Sequence, residues 1–371
     1  MMSTKLNLVL IFGGKSGEHE VSLMSARSVM NAIDQTKYQI YQVGITKAGA
    51  WLSSPGLLEA FENRQIQDLP EAIILTKEEK PFLFNLIEGR LVEITPIDIV
   101  FPILHGTFGE DGTMQGLLEI NNCAYVGAGV LASAVAMDKA LCKDVAIKNG
   151  IRVLPYNVYT RAEIEDDLLR VCEAVESFLI YPVFVKPANL GSSVGISKAK
   201  NRSQLIEALQ LAARYDRRVL VEQGIQAREI EISILGNENP LCSQPGEILP
   251  GDEFYTYKEK YLSGDPEVAI PAPLSAEQNE QLRLWAVQVF RAIDCAGLAR
   301  VDFLLDKHSG EAWFSELNTM PGFTQISMYS KLLEHSGIVY SELIDQLIKL
   351  GLERKKDQNR IIRDFEVENG K

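Results

Sequence analysis

A chain of 371 residues, 46% hydrophobic and 23% charged, is long enough for two or three domains, each with its own core. Its formal net charge of -13 argues against a general nucleic-acid or membrane surface, so an anionic substrate has to be held by local basic groups. Five scattered cysteines without a C-x-x-C pair argue against zinc and disulfides and fit a reduced, cytoplasmic protein; no apolar run approaches a bilayer span or a secretory leader.

Residues 6–12 form an apolar run, Asn7 apart, that Gly13-Gly14-Lys15-Ser16-Gly17 breaks, and Leu23, Ala26, Met30 and Ile33 then recur at helical spacing. This predicts strand, glycine loop and helix. Apolar stretches at 38–45, 97–102 and 124–126 add strands of a parallel α/β sheet, with the first domain ending near residue 127. Residues 137–147 have a helical pattern, and 182–187 read as a strand running into the small-residue hairpin loop 188–195. Leu205, Ala208 and Ala212 mark another helix, and 219–222 a short strand. Ile230, Ile232 and Ile234 alternate with Glu229, Glu231 and Ser233, the period of a sheet with one wet face that could wall a site. Residues 254–263, aromatic, lysine-rich and without period, predict an ordered covering loop. Ser275-x-x-Gln278 is a capping box that opens a helix with Leu282, Trp285, Val289 and Ala292 on one side. Residues 353–371 are charged and read as a mobile tail.

The segment Ala299-Arg300-Val301-Asp302-Phe303, with Glu316-Leu317-Asn318 beyond a turn at 306–311, carries the most chemistry. In extended chain, residues two apart point to one face, roughly 7 Å from each other. Antiparallel pairing brings Asp302, Glu316 and Asn318 together beside the Arg300 guanidinium. Asp302 and Glu316 share a face only if the hairpin holds an odd turn or a bulge, because one step of register reverses every side chain. Hard oxygen ligands beside an arginine suit Mg²⁺ and phosphoryl chemistry; the bland alternative is a salt-bridged solvent face. Lys186, at the end of an apolar strand and followed by Gly191-Ser192-Ser193-Val194-Gly195, supplies a charge and flexible donors for phosphate oxygens, or else a plain hairpin turn. Lys139 alone reads as a solvated lysine. Gly13-Gly14-Lys15-Ser16 resembles the end of a Walker A loop, but Val9 stands where that motif needs glycine. Gly127-Ala128-Gly129 reads as a tight turn before a helix. Glu18, His19 and Glu20 are helix-dipole charges or the mouth of a ligand site, and the glycine-rich stretch 105–112 reads as a pocket rim.

Taken in order, the segments 12–22, 105–116, Met137-Asp138-Lys139, 185–195, Glu259-Lys260-Tyr261, 297–302 and 316–328 resemble the ATP-grasp ligases, and specifically the D-alanine–D-alanine ligase family, up to about residue 350. The resemblance implies a three-domain ATP-grasp α/β fold. Residues 1–127 would form an N-terminal parallel α/β domain with the first substrate site. Residues 128–222 and 223–352 would form two α+β domains sandwiching the nucleotide, and 353–371 the tail. It implies that Asp302, Glu316 and Asn318 bind two Mg²⁺ ions, or Mn²⁺ in their place. Lys139, Lys186 and Lys260 would contact ATP phosphates, with Glu222, Gln223, Ile225 and Glu229 at the adenine and ribose. Gln223 stands where many members have lysine, and Gly224 where they have an aromatic. Glu18 would hold the first D-alanine ammonium in a triad with Ser192 and Tyr261. His105, Arg300, Gly322, Ser327 and Met328 would surround the second D-alanine and the transferring phosphate. The implied partners are D-alanine and ATP in a cytoplasmic homodimer, with no nucleic acid and no membrane. Rivals within the fold are depsipeptide and D-alanine–D-serine ligases. The resemblance implies that tyrosine at position 261 goes with an amine nucleophile, and phenylalanine or histidine with the other acceptors. A nucleotide-binding regulator without catalysis is the other class, and the intact Asp302, Glu316, Asn318 and Arg300 speak against it.

Overall fold

The computed structural model describes residues 5–191, 194–249 and 267–362. The first unit runs β1 (Leu6–Gly13), α1 (His19–Ala32), β2 (Tyr38–Ile45), β3 (Trp51–Ser53), α2 (Leu57–Glu62), β4 (Glu71–Lys77), β5 (Lys80–Ile87), β6 (Arg90–Pro96), β7 (Ile99–Pro102) and α3 (Thr113–Ile120). The apolar run of β1 puts it inside the sheet, between β2 and β7 and parallel to both, with Leu8 through Phe12 fully buried. The sheet is otherwise antiparallel, in the order β6-β5-β4-β3-β2-β1-β7, so the expected parallel sheet is a mixed one. Two-residue turns make the difference. Glu78 and Glu79 (φ 50 and 66), then Glu88 and Gly89 (φ 49 and 73), have the left-handed backbone of tight hairpins, and three of the four carry glutamate where asparagine or glycine would have announced the turn.

The middle of the chain runs α4 (Val130–Met137), α5 (Lys139–Lys148), β8 (Tyr156–Thr160), α6 (Arg161–Asp166), α7 (Leu168–Phe178), β9 (Val183–Pro187), β10 (Ser197–Ala199), α8 (Arg202–Tyr215) and β11 (Arg218–Gln223). Its antiparallel sheet has the order β10-β9-β11-β8. Val183, Val185, Val219 and Val221 face one way, into a core with Val171, Val175, Leu205 and Leu209 of the helices. Strand alternation therefore sends Lys186 and Glu222 to the opposite face.

The third sheet follows, with β12 (Ala227–Gly236), β13 (Leu241–Cys242), β14 (Gly246–Leu249), β15 (Glu267–Ala269), α9 (Ala276–Ala292), β16 (Gly297–Asp306), β17 (Ala312–Asn318), α10 (Met328–His335) and α11 (Tyr340–Gln358). Its main order is β15-β14-β12-β16-β17. The Ser275–Gln278 capping box closes both ways, and α9 packs Leu282, Ala286, Val289 and Phe290 against Ile230, Ile232 and Val301. The small residues Ala132, Ala136, Cys142 and Ala146 belong to this same core, so α4 and α5 join the C-terminal sheet although the sequence groups them with the central segment. Residues 353–358, expected in a tail, continue α11. There Gly351 packs so closely that a Cβ would lie 2.6 Å from the Tyr125 carbonyl oxygen. One turn of register later the Arg354 guanidinium stacks 4.1 Å over the Tyr125 ring. Among the described residues no helix is long and apolar enough to cross a membrane.

Candidate active site

The polar faces of the two antiparallel sheets and three loops converge. On the C-terminal sheet Asp302 pairs directly with Glu316 and Arg300 with Asn318, while the next pair is Phe303 with Phe314. Ser315 is thus an extra residue, the bulge that keeps both carboxylates on one face. Arg300 donates from Nε and Nη2 to the two Asp302 oxygens at 2.7 and 2.6 Å, with Nε also 3.0 Å from Glu231 on β12. Asn318 Nδ2 donates to Asp302 Oδ2 at 3.0 Å. Burial works against the Arg300 charge, but Asp302, Glu231 and Glu316 outweigh it and hold the guanidinium protonated well beyond its ordinary range. Glu229 lies on the same face of β12.

Across from this face, Asp138 caps α5 by accepting the Leu141 N–H at 2.9 Å and pairs with Arg218. Lys139, the first residue of the helix, donates to the Leu190 carbonyl at 2.9 Å and reaches Glu316 at 3.0 Å, so the lysine that reads as solvated is the cation beside a predicted metal ligand. Lys186 and Lys143 grip the two oxygens of buried Glu222 at 2.7 and 2.6 Å. Burial opposes ionisation of Glu222, yet the two ammonium groups prevail and hold its carboxyl at about 2. Burial also pulls Lys143 below the ordinary lysine range despite Glu222. Lys186 is pushed down by burial but up more strongly by Glu222, with a net rise. Gln223 does something else: its side chain accepts from Ile180 N–H at 3.0 Å and donates to Ile180 O at 2.7 Å. Its amide is committed to the backbone before β9, and Ile225 is half-buried in the link to β12.

The loops complete the wall. Gly106 (φ +74) and Gly191 lie so near Glu18 that a Cβ on either would stand 2.3 or 2.8 Å from Glu18 Oε2 and push the carboxylate aside; at Gly106 the left-handed backbone also favours glycine. His105 is buried, with Nε2 2.9 Å from Ser25 Oγ and Nδ1 2.9 Å from the Met320 carbonyl. A carbonyl only accepts, so Nδ1 carries the proton and Nε2 accepts from Ser25; burial lowers the His105 pKa and favours this neutral ring. Both nitrogens are therefore engaged internally, and His105 clamps the loop before Gly322. Glu110, absent from the sequence-derived candidates, completes the clamp: it accepts the Gly106 N–H at 2.6 Å and the Met320 N–H at 3.1 Å. Burial and the charge of Glu18 push its carboxyl up. Gly322 is half-buried in that loop, and Ser327, just before Met328 opens α10, holds Thr324 N–H at 3.1 Å and its hydroxyl at 2.8 Å. Ser192, Lys260, Tyr261 and the predicted covering loop lie outside the described residues. Among the described residues no three His, Cys, Asp or Glu side chains gather as a metal cluster; the candidate set is two carboxylates and an amide. Lys143 and Glu110 escaped the sequence reading because a mid-helix lysine and a loop glutamate look like solvent-facing charges.

Residues 7–128 match the family model described as D-ala D-ala ligase N-terminus, and residues 145–349 that described as D-ala D-ala ligase C-terminus. A D-alanine--D-alanine ligase of Natranaerobius thermophilus is 46% identical over 97% of this chain and 99% of its own length, and one of Heliobacterium modesticaldum 48% over 96% and 97%. Among solved structures, the D-alanine-D-alanine ligase from Coxiella burnetii superposes with a TM-score of 0.83 at 35% identity, covering 97% of this chain and 98% of that one. The VanG D-Ala:D-Ser ligase from Enterococcus faecalis superposes at 0.82 and 34%, covering 94% and 100%. Both terminal segments, nearly the whole length and the fold thus agree, and the chain belongs to the D-alanine–D-alanine ligase family.

Proposed function

We propose that this chain joins two D-alanine molecules into D-alanyl-D-alanine at the cost of ATP, releasing ADP and phosphate, for peptidoglycan precursor synthesis. The observation that carries the reading is the convergence of Asp302, Glu316, Asn318 and Arg300 on one sheet face with Lys139 of α5 and Lys186 of the central sheet. Family membership supports the ligase assignment independently.

In this reading the carboxylate of the first D-alanine attacks the γ-phosphorus of ATP, giving an acyl phosphate and ADP. The amine of the second D-alanine then attacks that carbonyl, and phosphate leaves. Activation is needed because a carboxylate is a poor electrophile. Glu18, set among three loops, pairs with the ammonium of the first substrate, and Ser192 and Tyr261 complete its triad. Arg300 and N–H groups near Gly322 take up the charge of the tetrahedral oxyanion. Ser327 and Met328 flank the second substrate, and the His105–Glu110 clamp sets that loop in place. Lys139, Lys186 and Lys260 hold the phosphates, while Glu222, Gln223, through its main chain, Ile225 and Glu229 border the base and sugar. The hard oxygen set Asp302, Glu316 and Asn318 fits two Mg²⁺, with Mn²⁺ as a substitute. Bound there, the ions would offset the negative charge that develops on the transferring phosphoryl group. Loop closure would keep water from the acyl phosphate. The same reading places the enzyme in the cytoplasm as a homodimer.

The test is phosphate release from ATP with D-alanine, L-alanine, D-serine and D-lactate compared side by side, with mass determination by light scattering for the dimer. Release with D-alanine alone, and D-alanyl-D-alanine as product, is expected. Preferred release with D-alanine plus D-serine would instead favour the second reading, which the similarity to a D-Ala:D-Ser ligase structure keeps in view.

A further inference from the structure

Lys143 has 1% of its surface exposed and lies one turn beyond Lys139 on α5. An ammonium buried without partners costs several kcal/mol, so its position is explained only by what its donors reach. Nζ stands 2.6 Å from Glu222 Oε1 and donates to the Phe314 carbonyl oxygen at 3.3 Å. These two acceptors belong to different sheets. Glu222 is on β11 of the central sheet; Phe314 is on β17 of the C-terminal sheet, immediately before the Ser315 bulge. The residue after the bulge is Glu316.

Three lysines therefore surround the carboxylates of Glu222 and Glu316, and they are not equivalent. The side chains of Lys139 and Lys186 are 12% and 14% exposed, that of Lys143 2%. The first two can meet a bound phosphate, whereas the third is walled off from it. A single nitrogen with several donors ties the helix, the central sheet and the edge strand of the C-terminal sheet at one point.

Resting on the nucleotide reading above, we propose that Lys143 is a positioning residue for ATP. It fixes Glu222 in place and pins the bulge that turns Glu316 toward Asp302, so nucleotide affinity depends on it and D-alanine affinity does not. It acts through Glu222 and the β17 backbone, never by touching the substrate.

The full-length protein carrying Lys143→Met, Lys143→Gln, Lys143→Arg, Lys139→Met, Glu222→Gln or the Lys143→Met/Glu222→Gln pair is tested by ADP titration calorimetry, by KM for ATP and for D-alanine, and by thermal melting. Losing a supporting partner of this kind typically costs roughly ten- to hundredfold, so that loss of ADP affinity, with a matching rise in KM for ATP and no change in KM for D-alanine, is expected in the neutral variants. Lys143→Arg, which keeps the charge but not the length, is expected to show a smaller loss in the same direction. In the Glu222→Gln background the further loss from Lys143→Met is expected to shrink, since part of the path is already cut. Unchanged ADP affinity in the neutral variants, or an equal rise in both KM values, overturns the proposal. If neither neutral variant folds, an unchanged KM for ATP in Lys143→Arg overturns it and a selective rise supports it. Wild-type ADP affinity in Lys139→Met would sink the nucleotide reading itself; a loss there without one at Lys143 sinks the strut alone.

Discussion

Glu222→Gln keeps the shape of a fully buried side chain and removes only its charge, so its effect can be worked from the surroundings. Two ammonium groups at 2.6 and 2.7 Å overcome burial and lower the carboxyl from an ordinary 4.5 to about 2. At 1.36 kcal/mol per unit, that displacement is worth roughly 3 kcal/mol. A lowered folded-state pKa gives stability that is fully present above the unfolded value and is lost as pH falls toward the folded one. The variant also leaves Lys143 and Lys186 facing each other without a counter-ion, so the deficit at pH 7 is expected at about 3–5 kcal/mol, an apparent melting shift of about 4–6 °C in a chain of this size. Calorimetric melts of wild type and variant at about pH 7 and about pH 4 check it, with the gap narrowing by about 1 kcal/mol at the lower value. Equal melting temperatures at neutral pH, or a gap that widens toward acid, would refute the account of Glu222 as an ion held between two lysines.

Glu316→Gln should lower turnover by orders of magnitude while the fold survives, because metal-borne charge stabilisation is worth several kcal/mol and this side chain is 27% exposed. Wild-type-like turnover at saturating Mg²⁺ would show that it is no ligand. Tyr261→Phe should gain D-alanyl-D-lactate synthesis near about pH 6 and keep dipeptide synthesis at higher pH, since an amine must be neutral to attack and a hydroxyl already is. Chromatography of products with both nucleophiles present decides this, and a wild-type ratio at every pH removes Tyr261 as the acceptor determinant. Gly13→Ala should lower the melting temperature markedly: φ is +89° and the new Cβ would stand 2.3 Å from the Ile45 carbonyl oxygen, strain of at least about 1–3 kcal/mol. An unshifted melt would mean that the loop relaxes freely.

What could be read from the sequence was what period and spacing encode. The two-residue offsets Arg300/Asp302 and Glu316/Asn318 fix a shared face once the strands pair, and the requirement for a bulge follows from register alone. The alternation at 229–234 likewise marks a polar sheet face, although not a wet one: Glu231 and Ser233 are buried, the latter against the Tyr329 carbonyl. Illegible were features decided by distant partners. Lys143 is an ordinary helix lysine until β11 and β17 close over it, and the two nitrogens of His105 are claimed by Ser25 and by Met320, the latter 215 positions away. The hairpins after Glu78 and Glu88 adopt left-handed turns with glutamates that do not advertise them. The stripe of small residues in α4 and α5 indicates burial, but not which sheet will bury it.

The core of the first unit has a consequence for how the chain is made. Leu8, Leu10 and Phe12 of β1 share one apolar cluster with Phe323, Tyr329, Leu333, Leu343, Ile344 and Leu347. Those last residues belong to the opposite end of the polypeptide. On a ribosome adding about 5–20 residues per second, the segment that covers β1 arrives on the order of tens of seconds after β1 has emerged. Until then the cover is only partial, supplied by Leu23, Ala26 and Val29 of α1 and by Leu57, Leu58 and Phe61 of α2, which share the cluster. The core around the strand synthesised first is completed by residues synthesised near the end.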